Sequence, residues 1–159
     1  MSRSARVVIA STRAAAGVYD DRCGPIIREW LADRGFSVAD PAVVTDGDAV
    51  RTALSAALGE AVDLIITSGG TGISPTDATP EATLSVIDYQ IPGLADAIRR
   101  SGLPQVPTSV LSRGVCGVAD RTLVVNLPGS TGGVRDGLDV LAGVLGHALD
   151  QLAGGDHHR

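Results

Sequence analysis

The sequence predicts an α/β fold in which a mostly parallel sheet is covered by helices on both sides. Short runs of β-branched and aliphatic residues alternate with longer segments whose apolar residues recur at helical spacing, and this alternation is typical of parallel sheets. Three of the apolar runs are followed by polar or glycine-rich loops. The 159 residues, of which 44% are hydrophobic, suit one globular domain.

The first part of the chain is predicted to contain three strands and two helices. β-Branched residues mark the strands, and Pro41 makes the second one an interrupted or edge strand. Apolar residues recur on one face of each helix, and the first helix has Asp20 or Asp21 as its cap and Gly35 as its stop. The strands are predicted at 6–11, 36–44 and 62–67, and the helices at 25–35 and 45–61.

The second part is predicted to contain three helices and a pair of strands joined by a tight turn at Asp120 and Arg121. Leucine and valine recur on one face of the last segment, which predicts a long amphipathic helix. The helices are predicted from Thr79 or Pro80, at 91–102 and at 130–152, and the strands at 114–120 and 121–129.

Loops that follow predicted strands mark the expected binding site. They read VTDGD at 44–48, TSGGTGISPTDATPE at 67–81 and LPGSTGG at 127–133. Ligands of such sheets bind beyond the carboxyl ends of the strands, which lie at one edge. We therefore expect the site where these three loops meet.

The loop at 67–81 is suited to binding phosphate. Its glycines let backbone amides approach a ligand closely, its hydroxyl groups add donors, and a helix N-terminus at Pro80 favours anions. It is not a dinucleotide fingerprint, because Pro75 stands where the third glycine belongs. A tight turn before a capped helix is the alternative interpretation. The residues expected to contact phosphate groups are Ser68, Gly69, Gly70, Thr71, Gly72, Ser74 and Thr79.

Two aspartates are candidate catalytic residues. Thr79 is the better helix cap ahead of Pro80, which leaves the Asp77 carboxylate available in a loop suited to phosphate. Two neighbouring anions are unfavourable unless a cation lies between them, which indicates Mg²⁺ between a carboxylate and phosphate oxygens. Asp46, after the second strand, is the natural second carboxylate, although an aspartate before a helix is often only a cap.

The segment Pro128, Gly129 and Ser130 is the second candidate loop. Pro-Gly turns the chain, and Ser130 or Thr131 caps the long helix, so exposed amides there can hold another anionic group. A helix cap without any ligand is the simpler alternative.

Composition excludes several classes of function. The chain has a net charge of −5 and no lysine, since all 13 cationic side chains are arginines, which excludes a lysine-dependent phosphate loop and a lysine Schiff base. An acidic chain with 3% aromatic residues does not indicate nucleic-acid binding. Two cysteines and three histidines show no zinc-ligand spacing. No apolar run is long enough for a membrane span or a signal peptide, so we expect a cytoplasmic protein.

The chain resembles the molybdopterin adenylyltransferase family, the Mog-type branch of the molybdopterin-binding domain that also occurs in gephyrin-like and plant Cnx proteins. The resemblance rests on ASTRAAAGVYDD, VVTDGDAVRTAL, TSGGTGISPTDATPEAT and LSRGVCGVADRTLVVNLPGS, which lie within about residues 5–152. It implies one domain over 1–159 with a tail at 153–159, folded as a three-layer α/β/α sandwich with one antiparallel strand, and a homotrimer.

The resemblance also implies an activity: Mg²⁺-dependent transfer of AMP from ATP to the terminal phosphate of molybdopterin, with release of pyrophosphate. Asp46 and Asp77 match the two catalytic aspartates of the family and are the expected Mg²⁺ ligands. Residues 69–72 match the loop that holds substrate phosphates, and residues 128–130 match the second substrate loop. The expected partners are small-molecule substrates and the enzyme that later inserts molybdate.

Two positions depart from the family pattern. Many members have Ser-Asp-Arg after the first strand, where this chain has Ser11, Thr12 and Arg13, and relatives often have Asn-Pro in the loop where Ser-Thr-Gly-Gly follows NLPG here. Two other functions also stay open. One is a paralogue that binds molybdopterin without catalysis, and the other is a related domain that acts on another nucleotide or phosphorylated pterin.

Overall fold

A seven-stranded sheet forms the centre of the molecule in the computed structural model, which describes residues 2–154. The strands lie in the order β2-β1-β4-β7-β6-β5, and β3 also pairs with β1. They are β1 (Ser4–Ala10), β2 (Ser37–Val38), β3 (Ala42–Val44), β4 (Leu64–Ser68), β5 (Tyr89–Gln90), β6 (Cys116–Ala119) and β7 (Thr122–Leu127).

The sheet is parallel except at one strand. β1 pairs in parallel with β2, β3 and β4, and β4 pairs in parallel with β7. β6 runs antiparallel to both of its neighbours, β5 and β7. The predicted edge strand is divided at Pro41 into β2 and β3, because proline has no amide hydrogen for the ladder.

Helices cover both faces of this sheet, which confirms the predicted three-layer α/β/α sandwich. Four helices pack on one face and two on the other, and β4 serves both faces by alternation: Leu64 and Ile66 join the larger core, and Ile65 joins the smaller one. The helices are α1 (Thr12–Ala15), α2 (Cys23–Asp33), α3 (Asp48–Gly59), α4 (Thr79–Leu84), α5 (Pro92–Arg100), a 3₁₀ helix (Pro107–Leu111), α6 (Thr131–Ala142) and α7 (Leu145–Leu152). The larger core holds α2, α5, α6 and α7, and the smaller core holds α3 and α4.

The predicted helix over 130–152 is wrong in its continuity. The chain leaves the helical conformation at Val144, whose φ is −129°, and the amides of Gly143 and Val144 bond three residues back instead of four. Glycine disfavours the helix by about 1 kcal/mol relative to alanine, which makes Gly143 a weak point. Leu145 still reaches the same core as α6. Residues 155–159, which hold most of the predicted tail, lie outside the described residues.

The structure confirms only some of the helix caps that the sequence predicted. Arg22 occupies the cap position of α2, but the Asp21 carboxylate, one residue earlier, accepts the Gly24 amide at 3.1 Å, and Ser130 caps α6. Thr79, the expected cap of α4, is instead the first residue of that helix. α3 has Gly47 before its first residue and no side-chain cap. Asp46 is therefore not a helix cap, which leaves its carboxylate for other contacts.

Candidate functional site

The glycine-rich loop after β4 lies directly against the loop after β7. The Gly69 amide donates to the Leu127 carbonyl at 3.1 Å, and the Ser68 hydroxyl donates to the Pro128 carbonyl at 2.7 Å. Gly129 packs so closely that a Cβ there would lie 3.4 Å from the Cα of Gly69. The parallel pairing of β4 with β7 thus brings two of the three predicted loops together.

Glycine is required at two positions of this loop. Gly69 and Gly70 have φ values of +92° and +68°, in the left-handed region that other residues rarely adopt. A side chain at Gly69 would overlap the Ala10 carbonyl, and one at Gly70 would overlap the Thr79 hydroxyl and lie 3.2 Å from Oδ1 of Asp46. The third predicted loop, which contains Asp46, therefore also reaches the glycine loop.

Asp46 is held by Thr12, which lies at the start of α1. The Thr12 hydroxyl donates to Oδ2 of Asp46 at 3.0 Å and accepts the backbone amide of Asp46 at 3.1 Å. These contacts fix Oδ2 while Oδ1 faces Gly70. Thr12, where the family pattern often has an aspartate, supports the Asp46 carboxylate without adding a second negative charge.

Asp77 belongs to a tight turn with Ser74. The Ser74 amide donates to Oδ2 of Asp77 at 3.1 Å, and the Asp77 amide donates to the Ser74 carbonyl at 2.9 Å. The same Oδ2 would lie 2.8 Å from a Cβ at Gly72. The turn therefore aims the carboxylate back at the glycine loop, towards the region that Asp46 also faces.

Two cavities open on this edge of the sheet and meet at Gly70, Asp77 and Gly129, which line both. The first has a volume of about 860 Å³, lies over the end of β1 and includes Asp46 in its wall. The second has a volume of about 610 Å³ and lies over α5, α6 and the 3₁₀ helix. Asp77 thus borders both cavities, together with Gly70 and Gly129.

Most of the predicted contact residues lie in these walls. Ser68 and Gly69 line the first cavity only, and Gly70 and Gly129 line both. The second cavity adds Thr71, Gly72, Pro128 and Ser130. Ser74 and Thr79 appear in neither wall. Thr79 is fully buried, and its hydroxyl, which has no hydrogen-bond partner among the described residues, lies against Gly70. In this geometry Thr79 supports the Gly70 turn.

Three arginines that were not among the predicted contact residues also line the cavities. Arg13 and Arg22 lie in the wall of the first, and Arg99 lies in the wall of the second. Within residues 2–154 none of the three forms an ion pair with a carboxylate. An arginine without an acidic partner is available for an anionic ligand. The absence of lysine was the available signal, but it did not say which arginines mattered.

Asn126, the asparagine of the NLPG motif, forms hydrogen bonds with several elements that support the glycine loop. Its amide nitrogen donates to the hydroxyls of Thr67 and Thr83 at 3.0 Å each, and its oxygen accepts the Val115 amide at 3.0 Å. All of these atoms are buried, where hydrogen bonds are costly to lose. Asn126 therefore ties β4, β7 and α4 together directly beneath the glycine loop.

The two cysteines are not suited to thiolate chemistry. Burial raises the pKa of the Cys116 thiol to about 12, and burial also raises the pKa of Cys23. Cys23 lines the first cavity, but its thiol donates to the Gly129 carbonyl at 3.4 Å. Both thiols are therefore neutral near pH 7, which agrees with the prediction that they are ordinary buried side chains.

The aspartates suit a cation that is shared with a ligand. Within the described residues no group of three or more His, Cys, Asp or Glu side chains could hold a metal by itself. Mg²⁺ is usually held by one or two carboxylates together with substrate phosphates, not by a protein cage. Asp46 and Asp77, both aimed at the Gly70 and Gly72 turn, fit that arrangement.

Fold and site together define a class: an α/β protein whose loops meet at the carboxyl edge of its sheet in an arrangement suited to anionic ligands. The model of a family described as probable molybdopterin binding domain matches residues 6–147. The chain belongs to this molybdopterin-binding domain family, which confirms the resemblance noted from the sequence.

Relatives and a solved structure agree with this assignment. A molybdenum cofactor biosynthesis bifunctional protein of Synechococcus elongatus is 37% identical over 96% of this chain, which spans 48% of that protein, about half its length. A molybdopterin adenylyltransferase of Helicobacter pylori strain J99 is 34% identical over 93% of this chain and 86% of its own length. The molybdopterin biosynthesis Mog protein of Mycobacterium ulcerans, a solved structure, is 72% identical with a TM-score of 0.93, covering 95% of this chain and 99% of that one.

Between residues 2 and 154, no helix is long and apolar enough to cross a membrane.

Proposed function

We propose that this chain transfers AMP from ATP to the terminal phosphate of molybdopterin, as a step in molybdenum cofactor biosynthesis. The observation that carries the proposal is the junction of the two cavities at Gly70, Asp77 and Gly129. A reaction between two phosphate-bearing substrates requires their phosphates to meet, and this junction offers one place for both. Relatives named molybdopterin adenylyltransferase support adenylyl transfer as the reaction and molybdopterin as the acceptor.

The proposed chemistry is an in-line displacement. A terminal phosphate oxygen of molybdopterin forms a bond to the α-phosphorus of ATP. The bond from that phosphorus to the oxygen bridging to the β-phosphate breaks, and pyrophosphate leaves with the electron pair. Such a reaction needs orientation and charge neutralisation and no covalent nucleophile. The backbone of the glycine loop, with Arg13, Arg22 and Arg99 in the cavity walls, is suited to both tasks.

Asp46 and Asp77 are the proposed Mg²⁺ ligands. When bound, the ion would neutralise phosphate charge. The turn with Ser74 orients the Asp77 carboxylate, and Thr12 orients the Asp46 carboxylate, before any substrate binds. Two oriented carboxylates, one in the phosphate-friendly loop and one in the loop facing it, are explained by a shared cation, because without one they would repel the substrate.

Pyrophosphate release measured with ATP, Mg²⁺ and molybdopterin, against the same mixture without molybdopterin, tests the proposal. We expect release only in the complete mixture. Asp46→Asn and Asp77→Asn keep the shape of each side chain, and we expect each to lower kcat by about 100-fold or more while molybdopterin binding persists. Binding of molybdopterin without pyrophosphate release would favour the non-catalytic paralogue. Turnover with another nucleotide or pterin, and none with these substrates, would favour the related domain.

We also propose that the chain is a homotrimer in the cytoplasm and that it passes its product to the molybdate-inserting enzyme. Exposed apolar side chains, among them Ile73 at 68% and Val110 at 53% exposure, are consistent with a surface that another subunit covers. Light scattering coupled to size exclusion tests the oligomer, since a mass close to that of one chain would contradict it. Fractionation and co-purification test the compartment and the partner.

A further inference from the structure

We infer that Arg113 is a positioning residue that holds the Asp77 turn in its working geometry; this inference rests on the function proposed above. Arg113 follows the 3₁₀ helix and contacts the loop that carries Asp77 through its backbone and its whole side chain. Its amide donates to the Thr71 carbonyl at 2.7 Å, and its Nε donates to the Gly72 carbonyl at 2.9 Å. Its Nη2 donates to the carbonyl of Asp77 itself at 3.0 Å.

These bonds hold both ends of one short loop, which begins at Gly72 and ends at Asp77. Between Gly72 and Asp77 the backbone runs out through residues 73–76, which are all exposed. The turn has two internal bonds, both between Ser74 and Asp77. Those bonds shape the turn, but they do not fix it relative to the sheet. The guanidinium of Arg113 does so, because it bridges the carbonyls at the two ends.

Arg113 also forms an ion pair with Glu81, but this pair is not what holds the Asp77 turn in place. Nη1 of Arg113 donates to Oε2 of Glu81 at 2.6 Å, and the two side chains are 37% and 59% exposed. Pairs this exposed contribute little to stability. The pair orients the guanidinium plane, whereas the bonds to the Gly72 and Asp77 carbonyls act on the site. Lysine can pair with Glu81, but its ammonium group lacks the planar fork that reaches all three acceptors.

The neighbours of Arg113 attach the same segment to the opposite wall of the second cavity. Nη1 of Arg99, on α5, donates to the carbonyls of Ser112 at 2.9 Å and Gly114 at 3.2 Å. The segment 112–114 therefore lies between α5 and the Asp77 turn and is bonded to both. Arg113 thereby fixes the turn to a rigid part of the fold.

Steady-state kinetics of pyrophosphate release separate positioning from stability. For Arg113→Ala we expect kcat to fall by about 10- to 100-fold, the range typical when a residue supporting a ligand is removed, with KM for both substrates changed by less than about threefold. Added guanidinium ion should restore part of the lost kcat. Arg113→Lys should stay impaired, and Glu81→Gln should keep kcat within about threefold. Arg100→Ala, which removes an exposed arginine paired with Asp96 on α5, is the matched control and should be unaffected.

Hydrogen–deuterium exchange supplies a readout that needs no turnover. In Arg113→Ala and Arg113→Lys, peptides covering residues 71–79 should exchange faster than in the wild type, with the remaining peptides unchanged. Unchanged exchange there, kcat of Arg113→Ala within threefold of wild type, or equal losses in Arg113→Ala and Glu81→Gln would overturn the inference. If Arg113→Ala does not fold, Arg113→Lys decides by the same criteria. If the wild-type chain releases no pyrophosphate, the proposed function fails, while the exchange data still decide whether Arg113 holds the turn.

Discussion

Replacing Gly70 by alanine should show how much the site depends on a backbone that only glycine can adopt. Gly70 has a φ of +68°, and the left-handed conformation costs a residue with a Cβ about 1–2 kcal/mol. The new methyl group would also overlap the hydroxyl of Thr79, which is fully buried and cannot move aside freely. Overpacking of this kind costs about 1–3 kcal/mol. Taking the middle of each range, we expect Gly70→Ala to lower the free energy of unfolding by about 3.5 kcal/mol.

Gly35→Ala is the control that isolates the backbone contribution. Gly35 has a φ of +86°, but a Cβ there would have no atom within 4 Å. The free energy of unfolding of Gly35→Ala should therefore be only about 1.5 kcal/mol lower than that of the wild type. In a chain of this size 1 kcal/mol corresponds to about 2–4 °C, so Tm should fall by about 3–6 °C in Gly35→Ala and by about 7–14 °C in Gly70→Ala. The gain from restricting the unfolded chain is the same at both positions and cancels.

Chemical denaturation, thermal unfolding and pyrophosphate release make up the assay. At a temperature where both variants are folded, we expect Gly35→Ala to keep its activity and Gly70→Ala to lose most of it, because the displaced backbone moves away from Asp46. Equal stability of the two variants would refute the argument from overlap with Thr79. Full activity of a folded Gly70→Ala would refute the argument that this turn shapes the site.

Three further predictions follow from contacts in and around the site. Thr12→Val removes the hydroxyl that bonds the carboxylate and the amide of Asp46, so kcat should fall about tenfold with little loss of stability, while Thr12→Ser should match the wild type. Cys116, whose pKa is raised to about 12, should resist alkylation at pH 8 in the folded protein and react after unfolding, as mapped by peptide mass spectrometry; rapid labelling in the folded state would contradict its burial. The hydrogen bond from Arg113 lowers the pKa of Glu81, so the pair stabilises the fold at neutral pH, and this contribution is lost as pH falls from the ordinary glutamate pKa of about 4.3 through the lowered one. Glu81→Gln should therefore be slightly less stable than the wild type at pH 7, and this difference should shrink as pH falls through the lowered pKa of Glu81; a difference that stays constant would contradict that account.

The sequence predicted the central strands and the longer helices because each has a clear local pattern, whereas it did not predict the short elements α1, β5 and the 3₁₀ helix. The β-branched runs that became β1, β4 and β7 are buried on both faces, and such runs are typical of central parallel strands. The break between α6 and α7 was not predictable from periodicity, since Leu141 and Leu145 lie in one core on either side of it. A glycine within a helical pattern is often tolerated, so Gly143 alone did not decide the matter.

The candidate site was predictable where glycine or aspartate stood in a loop, and less so where the function of a side chain depends on distant partners. Asp46 and Asp77 stand out because a carboxylate in a glycine-rich loop needs an explanation. Arg113 does not, since its partners Gly72 and Asp77 are about forty positions away in the chain. Any of 13 arginines could have filled that place on composition alone. Only the structure shows which one reaches the Asp77 turn.

The two aspartates are not equivalent, and their difference constrains the proposed mechanism. Asp46 lines only the first cavity, whereas Asp77 lines both. A cation held by both carboxylates would lie on the side of the first cavity, so the molecule bound there would share it. Asp77 alone can also face a phosphate that enters from the second cavity. In the proposed mechanism the two substrates would therefore meet at Asp77, and Asp46 would act on the substrate in the first cavity.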